Sequence, residues 1–164
     1  MSVVKRIVVE RPWILLVLLK ALDMGGGSFT ARDIAEALGL NTYVVQRALW
    51  WLKKYGFVEE VSGTVPRRYR LKSVSDEALN EMRTFRWVCG NTTVVRIGDL
   101  YVVFIVRDRD EVLTRIVPAR VLDCVGDALT RVGSDARRIS EECGIDVAVA
   151  SAAIRVLRTM KCQG

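Results

Sequence analysis

"FTARDIAEALGLNTYVVQRALWWLKKYGFVEE", residues 29–60, decides how the chain folds. Thr30 is a good helix N-cap, and Asp33 comes next where the positive end of a helix dipole favours an acid. The helix it opens, ARDIAEAL, sets Ile34, Ala35 and Leu38 on one face and stops at Gly39. Asn41 or Thr42 then caps a longer helix that runs to Tyr55 and stops at Gly56. With Val45, Ala48, Leu49 and Leu52 as its inward stripe, Val44, Trp51 and Tyr55 fall on one flank, and Tyr43, Arg47, Trp50 and Lys54 fall together on the far side. Trp51 can join the core, whereas Trp50 points away from it.

Upstream, Pro12 suits the first turn of a helix with the body WILLVLLKALDM, closed by Gly25, Gly26 and Gly27. That helix is apolar nearly all round and needs cover on more than one side, so Trp13 and Leu16 are expected at an interface with the second half or a second copy. The preceding VVKRIVVE fits either a strand or a helical extension. Downstream, FVEEV, a turn at Ser62 and Gly63, and RRYRLK read as a two-stranded hairpin. Its two-residue period turns Tyr69 and Leu71 inward and Arg68, Arg70 and Lys72 outward.

Helix, helix, tight turn, helix and basic hairpin is an order that resembles the winged helix-turn-helix family of archaeal and bacterial transcription regulators. The Ile-Ala pair at 34–35, the Gly-Leu turn at 39–40, the inward Val45, Leu49 and Leu52, and the Gly-Phe-Val entry to the hairpin carry the resemblance, over about residues 12–72. It implies that the third helix, about 42–55, enters the major groove of duplex DNA, and that the basic wing, about 57–72, lies on the backbone. The DNA-binding candidates are then Arg32, Asn41, Thr42, Tyr43, Gln46, Arg47 and Lys54 on the helices, and Arg67, Arg68, Arg70 and Lys72 on the wing. Trp50 departs from the family, where a polar residue is usual. A large apolar group there is expected to be covered by another part of the chain or by a second subunit, the alternative being that it joins Tyr43, Arg47 and Lys54 in a mixed aromatic and basic surface for nucleic acid.

The second half begins with a short helix, SDEALNEMRTF, and continues as a β-meander of about three strands broken at Gly98-Asp99 and at Arg107 to Asp110. Asp108, Asp110 and Glu111 alternate with Arg107 and Arg109 and lack the spacing and glycine of a calcium loop, so they read as a charged hairpin turn. Pro118 starts another helix, and the chain beyond that helix echoes the first half. At a shift of 105, ARDIAEALGL lies on ARRISEECGI, and Ala48, Leu49 and Leu52 lie on Ala153, Ile154 and Leu157. The last helix, from about Val147, is small and apolar where Tyr43, Gln46 and Arg47 sit in the first copy, and no wing comes after it. With Ala148, Ser151 and Ala152 outward it suits close packing on another helix, so Ala148 and Ala152 are interface candidates.

Of the 164 residues 51% are hydrophobic, enough for a real core. The longest apolar run, Trp13 to Leu19, is far short of the roughly 20 residues that cross a bilayer, and no signal-peptide pattern accompanies it. Four cysteines without a C-x-x-C pair and the absence of histidine argue against a zinc site or a histidine-based catalytic group, and no metal or cofactor is expected. The cysteines read as mostly inert buried thiols of a cytoplasmic protein. Scarce Asn and Gln with plentiful Arg also fit a hot-environment organism, in which an intracellular disulfide becomes possible. Residues 1–74 carry 12 bases against 6 acids and residues 75–164 carry 13 of each, so the whole net charge of +6 falls in the first half and points to a polyanionic partner.

The expectation is an α+β, mainly α, protein with a winged helix at 1–74 and a second domain at 75–164 for interaction or dimerisation. Its expected function is sequence-specific binding of double-stranded DNA as a homodimeric transcriptional regulator. The alternative is a tandem winged-helix adaptor that binds proteins of chromosome organisation or the transcription apparatus. Nothing in the sequence suggests an enzyme: there is no Gly-rich phosphate loop and no G-x-S-x-G nucleophile motif.

Overall fold

Two N-caps and two left-handed glycines, each pair 105 positions apart, set the frame of the structure, a computed structural model that describes residues 2–162. In the first copy Thr30 accepts from the Asp33 N–H while the Asp33 carboxylate accepts from the Thr30 N–H, a closed capping box that starts helix Ala31–Leu38. In the second, Asp135 accepts from the Arg137 and Arg138 N–H groups and starts helix Ala136–Cys143. Both helices end on glycines that adopt φ of +71° (Gly39) and +64° (Gly144), a conformation that costs other residues steric energy. Beyond them the N–H of Leu40 bonds to the Ala35 carbonyl and that of Ile145 to the Ser140 carbonyl. The next helices start 105 residues apart as well, at Thr42 and Val147.

The chain divides into two compact units, residues 2–79 with 106–113, and residues 80–105 with 114–162. In the first unit the elements are α1 (Val3–Glu10), α2 (Ile14–Asp23), β1 (Phe29–Thr30), α3 (Ala31–Leu38), α4 (Thr42–Tyr55), β2 (Val58–Val61) and β3 (Arg68–Leu71). The strands form a small antiparallel sheet in the order β1-β3-β2, with Phe29 opposite Tyr69 and Glu59 opposite Arg70. VVKRIVVE is therefore a helix, with Val4, Ile7 and Val8 buried. This settles how α2 is covered. It packs against α1, α3 and α4, and every residue from Ile14 to Leu19 is buried. Leu16, expected at an interface, is only 4% exposed and belongs to the interior. On α3, Leu38 is only half-buried, and Leu40 in the turn takes its place in the core.

The carboxylate of Asp76, itself 8% exposed, joins two helix starts. It accepts from the Ser2 hydroxyl at 2.7 and 2.9 Å and from the Val4 N–H at the head of α1. It also accepts from the Ala78 and Leu79 N–H groups at the head of α5 (Glu77–Thr84).

The second unit contains a four-stranded meander, β4 (Arg86–Cys89), β5 (Thr92–Ile97), β6 (Leu100–Arg107) and β7 (Glu111–Pro118), in sequential order. That is one strand more than the sequence suggests, because four-residue β4 exposes Val88 and only half-buries Arg86, Trp87 and Cys89, leaving no clean alternation. Helices α6 (Ala119–Val132), α7 (Ala136–Cys143) and α8 (Val147–Cys162) complete the unit, with Val125, Ala128, Ile139, Ala150, Ala153 and Val156 in its core. Ala152, expected outward, is 8% exposed and lies in this core too. The cysteines are not buried thiols. Cys89 is bonded to Cys162 and Cys124 to Cys143, and none of the four is fully buried. Among the described residues no helix is long and apolar enough to cross a membrane.

Candidate nucleic-acid interface

Helix α4 divides its side chains as the 3.6-residue period requires. Val44, Val45, Ala48, Leu49 and Leu52 are buried, while Tyr43, Gln46, Arg47, Trp50, Lys53 and Lys54 are exposed. Four of the exposed residues, Gln46, Arg47, Trp50 and Lys53, face a cleft of about 730 Å³, which α4 shares with the start of α3 and with the β2–β3 hairpin. Thr42, Gln46, Arg47, Trp50 and Lys53 line one side, Thr30, Ala31 and Arg32 a second, and Glu60, Pro66, Arg67 and Tyr69 the third.

The tryptophan pair has two separate environments. Trp51 is half-buried beneath the Arg11 guanidinium, which lies 3.4 Å from its ring centroid, with the Tyr55 ring beside it. Burial, and next the hydrogen bond donated to Glu10 at 2.6 Å, raise the pKa of the Tyr55 hydroxyl, which keeps its proton for that bond. Trp50 meets Trp51 edge-on at 4.8 Å and has the Lys54 ammonium 4.7 Å from its ring centroid. It remains 52% exposed, so nothing in the described chain supplies the cover expected for it. Trp13, also expected at an interface, is half-buried and lies under the Arg47 guanidinium at 5.5 Å, whereas Ala148 is exposed.

Not all the basic candidates are equally free. Arg32 pairs with Glu36 at 3.0 Å, Arg70 pairs with Glu59 across the hairpin, and Glu60 holds both Lys53 at 3.2 Å and Arg67 at 3.7 Å. Arg68 donates to the hydroxyl and the carbonyl oxygen of Ser28, so it ties the β2–β3 hairpin to the loop before β1. Among the described residues Arg47, Lys54 and Lys72 make no ion pair. Arg47 and Lys54 are held only against aromatic rings, and Tyr43, whose ring lies 6.0 Å from the Arg47 guanidinium, is 64% exposed.

Asn41 is committed at both ends. Its carbonyl oxygen caps α4 by accepting from the Tyr43 N–H, and its amide donates to Asp110 at 3.4 Å. Its backbone N–H donates to the Arg109 carbonyl at 2.6 Å. The charged β6–β7 turn thus docks at the start of α4 and places Asp110 where the helix dipole favours an anion. This shifts the open chemistry of α4 from its first turn to its middle, to Gln46, Arg47 and Trp50. Sequence reasoning missed that docking and the part played by Lys53 and Glu60. The second was accessible from the hairpin register, because Glu59 and Glu60 stand on β2 opposite the basic β3. No protein-family model, curated protein or solved structure matches this chain.

Proposed function

We propose that the first unit is a winged helix-turn-helix that binds double-stranded DNA, with α4 as the reading helix and the β2–β3 hairpin as the wing. The element order α2-β1-α3-α4-β2-β3 and the strand order β1-β3-β2 support the family reading. The observation that carries the function is the exposed middle of α4: Arg47, with no carboxylate partner, stands beside the amide of Gln46 and the open ring of Trp50 in a basic cleft. A guanidinium can donate two parallel hydrogen bonds to a guanine edge, and an amide can do the same for adenine. Lys72, Lys54 and, through exchange of their glutamate partners, Arg67 and Arg70 supply phosphate contacts that hold register without reading sequence. A regulator of transcription inside the cell is the role that fits such a surface.

The test is a salt series of binding to mixed-sequence duplex. Each phosphate contact should contribute about −0.9 to the slope of log K against log salt concentration. Arg47→Ala should cost roughly 1–3 kcal/mol at a preferred site and relax the preference there. Wild-type protein that shows no salt-dependent association with duplex would remove the reading.

The exposed Trp50 also favours a second reading, that of a protein-binding adaptor, and the two differ in what the tryptophan does. On the nucleic-acid reading Trp50→Ala keeps stability within about 0.5 kcal/mol, as surface substitutions do, and weakens binding to duplex DNA through lost apolar contact in the groove. Iodide should quench the Trp50 fluorescence of the free protein, and DNA should protect it. Unchanged DNA affinity in Trp50→Ala would assign this ring to a protein partner instead.

A further inference from the structure

The 105-residue offset extends from the helices to the surface. The second unit has its own cleft of about 340 Å³, lined by Ala136, Ser151, Arg155 and Arg158 among others. These four stand 105 positions after Ala31, Gln46, Trp50 and Lys53, which line the larger cleft of the first unit. Where the wing closes the first cleft, the turn between β4 and β5 closes the second, contributing Cys89, Asn91 and Thr92. The Cys89–Cys162 disulfide ties β4 to the end of α8, so one wall of the cleft is covalently joined to the helix that forms the other.

The chemistry of this second cleft differs from that of the first: a guanidinium occupies the position of Trp50, and the hydroxyl of Ser151 that of the Gln46 amide. Arg155 and Arg158 lie three residues apart on one exposed face of α8, and neither has a carboxylate partner among the described residues. Arg155 donates to the Thr92 hydroxyl at 3.2 Å, and that hydroxyl donates to the Asn91 side-chain oxygen at 3.2 Å, so a neutral relay aims the guanidinium without neutralising it. Ser151 adds an exposed hydroxyl one turn earlier. Two unneutralised planar cations with a hydroxyl in a concave polar site match the oxygens of a phosphate group. Beside them on α8 stands neither an aromatic ring nor an amide like that of Gln46.

We propose that the Ser151–Arg155–Arg158 cleft is a second contact for the phosphodiester backbone of nucleic acid, a site that positions without reading. This rests on the nucleic-acid reading of the first unit. It also changes the role of α8, which the sequence suggests is only a surface for packing against another helix.

The experiment is the same salt series on mixed-sequence duplex, with full-length wild type beside the Arg155→Ala, Arg158→Ala double variant. Loss of two phosphate contacts should flatten the slope of log K against log salt by up to about 1.8. It should weaken binding on the order of tenfold at low salt, by the same factor for every duplex sequence. The double lysine variant, which keeps the charges, should retain most of the wild-type slope. Should the double alanine variant melt early, Arg158→Ala alone should flatten the slope by up to about 0.9 and leave the fold intact, because Arg158 makes no hydrogen bond or ion pair among the described residues. A well-folded variant with the wild-type slope and affinity overturns this inference and leaves the first unit's function standing. A wild type that shows no salt-dependent binding overturns both.

Discussion

Reduction of the two disulfides should destabilise the second unit by about 4 kcal/mol for Cys89–Cys162 and about 3 kcal/mol for Cys124–Cys143. The figures reflect the chain entropy that each cross-link removes from the unfolded state, over sequence separations of 73 and 19 residues. Taken together they approach the whole stability of an ordinary small domain. The first unit contains no cysteine and should be indifferent to the same treatment. Calorimetric scans of the full chain with and without a thiol reductant separate the two. The part of the transition that belongs to the second unit should move to lower temperature, while the part that belongs to the first stays. Superimposable scans would show that the bridges contribute nothing to stability. Cys89→Ser and Cys124→Ser, made singly, should reproduce the two steps in that order of size.

Asp76→Ala should cost about 3–4 kcal/mol, a large effect for one side chain away from the hydrophobic core. The carboxylate serves the Ser2 hydroxyl and three backbone N–H groups of two different helix starts. A single capping acceptor is worth about 1 kcal/mol, and bonds to a charged partner are stronger than neutral ones. Each start also presents the positive end of a helix dipole to the same anion. Asp76→Asn keeps one oxygen and loses the charge, so it should fall between the alanine variant and wild type. Urea unfolding reads all three, and a wild-type midpoint for Asp76→Ala would mean that water replaces the carboxylate at no cost.

Local signals in the sequence carry most of the first unit. Thr30, Gly39, Asn41 and Gly56 stand at helix ends in the structure because capping is a matter of a few adjacent residues. The helical period separates Trp50 from Trp51 correctly, Pro118 marks the start of α6, and the 105-residue shift locates α7 and α8. The failures have a common physical origin. VVKRIVVE is rich in β-branched residues, and its coiling rests on packing against α2 and on the caps supplied by Ser2 and by Asp76, 72 positions from Val4. A helical wheel sends Leu16 and Ala152 to interfaces because it shows direction but not what lies there. Four cysteines allow three pairings, and spacing alone cannot choose among them. At the candidate site, the exposed set on α4 is legible, but the ion pairs that occupy Arg67 and Arg70 depend on strand register, and the commitment of Asn41 depends on a turn 69 positions away.

That distant turn bears on how the protein folds as it is made. The first unit draws on two stretches of the chain, and the backbone bond from Asn41 to Arg109 cannot close until the later stretch exists. A nascent chain that stops short of residue 106 can form the helices and the small sheet, because all their partners lie within the stretch already made. It would leave the head of α4 without its acidic neighbour until synthesis moves well past the β6–β7 turn. The last part of the first unit to be completed is therefore the part at the head of α4, and a ribosome-bound intermediate should show early protection of α2 and α4 from exchange with late protection of the Asn41 amide.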